Sequence, residues 1–281
     1  MELSTAAPAA PRDTASWWRV LLVGFALFVV GLIIFGITDN PNLFPTVALI
    51  GNFLVPVTYT VFFYQRRHMT RLDLPETMLA FFYGGVLGVF AASLLEQVFI
   101  TRLTLLTAFE VAAIEEFAKI LGVLVAARHR PRDSELEGVI LGAAAGMGFA
   151  ALESSGYVFT ASVVSRGSLD TLVGETLLRG LLSPLGHGTW TAILAGVLFR
   201  ETARRRYRID RGVLGAYLTV VILHGLWDGL PGFLASIAFP LVGILISQAI
   251  IGLIGLLILF RRYREALRLE ARVEQQPIAP A

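Results

Sequence analysis

The chain contains no cysteine. That excludes disulfide scaffolds, thiol nucleophiles, CxxC redox motifs and cysteine-ligated zinc or iron–sulfur sites. Charge is scarce too: Asp, Glu, Lys and Arg make up 16% of the 281 residues, against about 25% in an average soluble domain. Apolar residues reach 56%, too many for a water-soluble globule and far too many for a disordered chain. The net charge is only +2, and the arginines lie in short loops between long apolar runs, so they make no nucleic-acid surface. What remains is an integral membrane protein.

A helix crossing the hydrocarbon core of a bilayer needs about 20 mostly apolar residues. Eight runs qualify: 17–37, 43–64, 77–100, 107–127, 138–162, 176–199, 212–230 and 235–260. The first is too long for a signal peptide and lacks a small-residue cleavage site, so it reads as a retained anchor with Trp17 and Trp18 at the interface. The expected organisation is a tail over 1–16, a helical membrane domain over 17–262 and a second tail over 263–281. No internal repeat is visible. Lys and Arg favour the cytoplasmic side of a membrane. The alternate loops and tails on one side carry nineteen of them, those on the other two (Arg102 and Arg166), and only Lys119 and Arg179 fall inside spans. This predicts an all-α polytopic protein of the plasma membrane with both termini cytoplasmic and Arg-rich loops against anionic lipid.

Ionisable groups inside a bilayer are costly and mark function by default. The fourth span holds Glu115, Glu116 and Lys119, which at 100° per residue project from one face. They form either a structural ion pair or the acid–base core of a site. In the fifth span Gly142, Gly146, Phe149 and Glu153 share a stripe whose small residues let another helix come close. The sixth holds Arg179, expected to snorkel outward or pair with Glu175, and His187 in H-G-T-W. The seventh holds H-G-L-W-D, with His224 and Asp228 four apart on one face. Counted from the Arg-poor side, Glu115, Glu153, His187 and His224 all lie roughly 10–17 Å deep. One polar cavity explains that shared level better than scattered packing residues do.

Such a set can activate water, stabilise an oxyanion or bind a metal. No HExxH, GxGD or GxSG motif is present, and Ser154 and Ser155 do not make a nucleophile motif. A proton- or cation-coupled transporter could also use buried Glu, Lys and His, but neither an inverted repeat nor paired broken helices is visible. The ordered series E-E-F-A-K (Glu115–Lys119), F-A-A-L-E (Phe149–Glu153), H-G-T-W (from His187) and H-G-L-W-D (His224–Asp228) resembles the motifs of the PrsW family of membrane-embedded proteases, over about residues 75–230. The resemblance implies an endopeptidase that cuts a membrane protein, such as an anti-sigma factor, entering laterally. It implies that Glu115 and Glu116 are the catalytic or water-activating pair and that Glu153, His187 and His224 complete the site. Lys119, Phe149 and Asp228 would support it. Glu153, His187 and His224 also form a donor set suited to zinc or another divalent ion, although no spacing demands one.

Overall fold

A computed structural model describes residues 16–100, 104–129, 134–202 and 209–274. Every regular element among them is helical. The helices are α1 (Trp17–Thr38), α2 (Leu43–Tyr64), α3 (Leu74–Phe99), α4 (Leu105–Ala126), α5 (Glu135–Val164), α6 (Leu169–Leu182), α7 (His187–Thr202), α8 (Arg211–Ser236) and α9 (Leu241–Glu274). Local chemistry sets several starts. The side chains of Asp73, Thr104, Ser134, Ser168 and Asp210 each accept a backbone N–H of the first helical turn, those of Glu76, Thr107, Glu137, Thr171 and Val213. Such caps satisfy donors that a helix end leaves orphaned.

Seven segments are long and apolar enough to cross a bilayer. The eighth expected span, α4, fails that measure because Glu110, Glu115, Glu116 and Lys119 interrupt it. The sixth span is one segment in length but not one helix. Ser183–Leu185 form a 3-10 turn between α6 and α7, and Gly186 leaves the helical region at φ −107° and ψ −127°. Pro184 has no N–H to continue the α-helical ladder, so the continuous helix expected over 176–199 is corrected to a broken one. Irregular backbone at membrane depth is tolerated where it is buried in protein or lines a cavity. α9 runs on to Glu274, so the first part of the tail expected from residue 263 is helical. Residues 1–15 and 275–281 of the expected tails, with Arg12, Arg102, Arg130, Arg132, Arg204, Arg205, Arg206 and Arg208, lie outside the described residues.

The bundle is organised around α5, which packs against α7, α3, α2, α6 and α4. In its apolar stretch 94% of the residues are buried, against 11% for α1 and 22% for α9, which present mostly apolar surface outward. Close approach explains the glycine stripe. A Cβ on Gly142 would lie 2.4 Å from the Thr191 carbonyl oxygen, and one on Gly146 2.2 Å from that of His187. The expected small-residue contact is therefore real, and its partner is α7. It draws the first turn of α7, with His187, against the middle of α5.

Candidate active site

On α4 the three ionisable groups face inward as one set. Lys119 is wholly buried, Glu116 likewise, and Glu115 is 5% exposed. Lys119 Nζ donates to Glu116 Oε1 at 2.8 Å and to Glu115 Oε2 at 3.2 Å, and it stands 4.2 Å above the Phe149 ring. The chain has no other lysine, so its one ammonium is spent inside the bundle. A buried charge persists only when paired and hydrogen-bonded; here one cation balances one of two adjacent carboxylates.

The two glutamates then part company. Both Glu116 oxygens are engaged: Oε1 accepts from Lys119 and from His224 Nδ1–H at 3.1 Å, and Oε2 accepts from Thr191 Oγ1–H at 3.1 Å. Glu115 Oε2 instead faces the two imidazoles, 3.8 Å from His187 Nδ1 and 3.6 Å from His224 Nε2. Each imidazole is oriented from its other nitrogen. Lys119 Nζ lies 2.8 Å from His187 Nδ1, and Glu153 Oε2 lies 3.1 Å from Nε2. The tautomer that satisfies both neighbours carries its proton on Nε2 and donates to Glu153. His224 is anchored by Glu116 and stacked on Trp190, with ring centroids 4.5 Å apart. Its Nε2 makes no hydrogen bond, although Asp228 Oδ2 is 3.1 Å away. A carboxylate behind each ring, fixing tautomer and direction, is the arrangement found around histidines that bind metals or shuttle protons.

Arg179 departs from expectation. It neither snorkels outward nor turns to Glu175: its Nη2 donates to Glu153 Oε2 at 2.8 Å and its Nε to Ser154 Oγ at 3.0 Å. Ser154 is thereby held, and Ser155 donates to the Ala151 carbonyl of its own helix, which leaves neither as a nucleophile beside a base. Two cavities meet at Glu153. One, of about 360 Å³, runs between α3, α4, α5 and α8, and its lining includes Glu96, Glu115, Phe149, Glu153, Tyr157 and Asp228. The other, of about 200 Å³, reaches His187 past Arg179, Glu175, Gln248 and the 183–186 break.

All the residues singled out from sequence, Glu115, Glu116, Lys119, Phe149, Glu153, His187, His224 and Asp228, come together here. The metal-ligand set changes. The donor atoms that converge within 4.8 Å belong to Glu115, His187 and His224, whereas Glu153 is tied to Arg179 and His187 as an outer partner. The edges of 3.6 and 3.8 Å from Glu115 Oε2 are close to the roughly 3.4 Å edge of a tetrahedron with zinc-like bonds of about 2.1 Å. His224 Nε2 is unpartnered at one corner of this set, while Lys119 Nζ bonds the other two, Glu115 Oε2 and His187 Nδ1; the donor types suit a zinc-like ion that would take the place of the ammonium. Thr191 was missed in the sequence, Arg179 was noted there with other partners, and Trp190 and Glu96 read as a packing residue and a span-end residue. Thr191 had a signal: it stands four residues after His187, on the same face of α7.

The fold and this cluster define a polytopic membrane protein with a buried Glu–Lys–His cluster. The profile of the PrsW family intramembrane metalloproteases matches residues 75–259, and the chain belongs to that family. A second profile, described as a protein of unknown function (DUF2530), matches residues 5–73. Comparison with curated proteins and with solved structures gives no match. The family makes the chain an intramembrane protease, a multi-pass membrane hydrolase acting among membrane substrates.

Proposed function

We propose that this protein is an endopeptidase that cuts a single-span or membrane-associated protein, such as an anti-sigma factor, with Glu115 activating the attacking water. The observation that carries this reading is the division of labour on α4. Glu116 has both oxygens saturated, while Glu115 lines a cavity and faces two oriented imidazoles. Glu115 takes a proton from water as its oxygen adds to the scissile carbonyl carbon. The resulting oxyanion is met by the positive charge of Lys119 and by His224. Collapse breaks the carbon–nitrogen bond, and Glu115 returns the proton to the leaving amine. Glu153, itself bonded by Arg179, holds His187; Glu116 and Trp190 hold His224, with the Asp228 carboxylate close to its free nitrogen. A zinc ion bound by Glu115, His187 and His224 would supply Lewis acidity to the water and the carbonyl, with Glu115 then acting as a ligand in place of its role as base.

Asymmetry in arginine content supports cytoplasmic termini in a plasma membrane, with the Arg-rich loops on anionic lipid. On that orientation the α3–α4–α5–α8 cavity, whose lining includes Ile100 at the Arg-poor end of α3, opens toward the outer leaflet. Glu115, Glu153 and His224 lie about 15–18 Å from the Arg-poor ends of their helices. A substrate at that depth enters sideways from the lipid. The test is identification of new protein N-termini in membranes from cells making wild type, Glu115→Gln or His187→Ala protein at matched levels. Membrane-protein termini present only with wild type are expected. Identical termini in all three strains, with folded protein in each, would refute proteolysis at this site.

A further inference from the structure

The cavity between α3, α4, α5 and α8 has a chemical bias that the reaction itself does not require. Among the described residues its lining holds four carboxylates, Glu96, Glu115, Glu153 and Asp228, and no lysine or arginine; Ser93 and Tyr157 are the lining residues with a hydroxyl to donate. One polar atom of its lining is buried and unmatched, and a second lies behind the lining. Glu96 Oε1 has no hydrogen-bond partner. His224 is wholly buried, and its Nε2 is unpartnered between two of the lining carboxylates, 3.1 Å from Asp228 and 3.6 Å from Glu115. Buried polar atoms are nearly always satisfied, so exceptions call for a missing partner.

Charge points the same way. Among the described residues, five carboxylates stand around the cavity and the site, with Glu116 added to the four, against Lys119 and Arg179, and both cations are already committed. Glu96 lies outside the group of atoms that could share one ion, so a metal at the histidines would leave it unmatched. The second cavity is mixed in character: it shares Glu153 and holds Glu175, but Arg179, Gln248 and Ser183 bring donors to it. A peptide spanning the site would therefore meet an acceptor-rich pocket on one side of Glu153 and a donor-bearing one on the other.

We propose that the α3–α4–α5–α8 cavity is a subsite for a lysine or arginine side chain of the substrate beside the cut bond, with Glu96 as its specificity-determining residue. A volume of about 360 Å³ accommodates either side chain. A basic residue in the outer-leaflet half of a span can lay its aliphatic stem along Val89, Val111 and Phe149 and bring its charge to the carboxylates. A buried carboxylate left without its cation penalises a neutral analogue more than a lost apolar contact does.

This inference rests on the protease reading, and the test separates the two. The termini produced by wild type are compared with those produced by Glu96→Gln and Glu96→Lys proteins. The wild-type cuts should carry Lys or Arg within the two positions flanking the bond. In one such substrate, replacing that residue by Met should lower kcat/KM at least about ten-fold with wild type and less than about two-fold with Glu96→Gln. Glu96→Lys should move the preference to Glu or Asp, which also guards against a variant that merely misfolds. Wild-type-specific cuts without flanking basic residues, or a preference unchanged in both variants, would overturn the subsite while leaving the protease standing. Absence of any wild-type-specific cut would overturn the protease reading, and the subsite with it.

Discussion

Helix α5 and the faces packed on it bury acidic groups at two levels, and the levels behave differently. At the Arg-rich end, Glu135 is 3% exposed, yet neither of its oxygens makes a hydrogen bond. Its nearest cations, Arg262 and Arg200, stand off at 3.8 and 4.0 Å and are shared with Glu265 and, for Arg200, Glu201. In mid-bundle, Glu116 is as deeply buried but bonded at 2.8 to 3.1 Å to Lys119, His224 and Thr191, which come from three helices. Burial of a carboxylate is thus common to both. Convergence of oriented donors and imidazoles is found only at the middle level, and it separates a site that can do chemistry from a loose ion network.

That contrast can be broken most sharply at Glu115. Glu115→Gln keeps the shape and removes the base, so cleavage of any substrate identified by its new terminus should fall by about 10²–10⁴-fold, while the melting temperature changes little. Equal activity in the variant would remove Glu115 from the chemistry. Glu116→Ala should act on the fold instead. Stranding Lys119 without its closest partner should cost about 3–5 kcal/mol, whereas Glu135→Ala, with no hydrogen bond to lose, should cost under about 1 kcal/mol; thermal unfolding in detergent compares the two. Equal losses would erase the distinction between the levels. At Arg179, replacement by Met should reduce cleavage about 10–100-fold by releasing Glu153 and so His187. The same substitution should leave stability nearly intact, because the guanidinium is partly exposed.

The smallest effect is expected at the surface, at the start of α8. Asp210 caps that helix, and the Val213 N–H that it accepts holds its carboxyl below the usual range. Its lowered folded value makes its contribution present at neutral pH and lost as pH falls through that value. Melting temperature followed toward acid pH should decline slightly less steeply in Asp210→Asn than in wild type. A steeper decline would assign the cap another role.

Much of this was legible in the chain because the bilayer restricts the choices. Long apolar runs that must satisfy their own backbone can only be helices or closed barrels, and eight segments of span length settle that choice. Ionisable residues inside them are rare enough that Glu115, Glu116, Lys119, Glu153, His187 and His224 could be picked out individually. The break at 183–186 was written in S-P-L-G but was hidden by the overall apolar length of the segment. Hydropathy averages over a window and passes over a local break; proline alone does not decide it, since Pro56 and Pro231 lie inside unbroken α2 and α8, whereas at 183–186 Gly186 also leaves the helical region.

Sequence by itself therefore determined the class of structure and singled out the ionisable residues that meet in mid-bundle, since each of these depends on solvent preference and spacing along one helix. Tertiary structure alone decided who does what within the site. It paired Lys119 with both glutamates, turned Arg179 inward to Glu153, exchanged Glu153 for Glu115 among the possible metal ligands and left Glu96 facing a cavity without a donor. Those assignments turn on distances of a few ångströms between side chains from different helices. They are fixed by how closely α7 can approach the glycines of α5, which no single segment records.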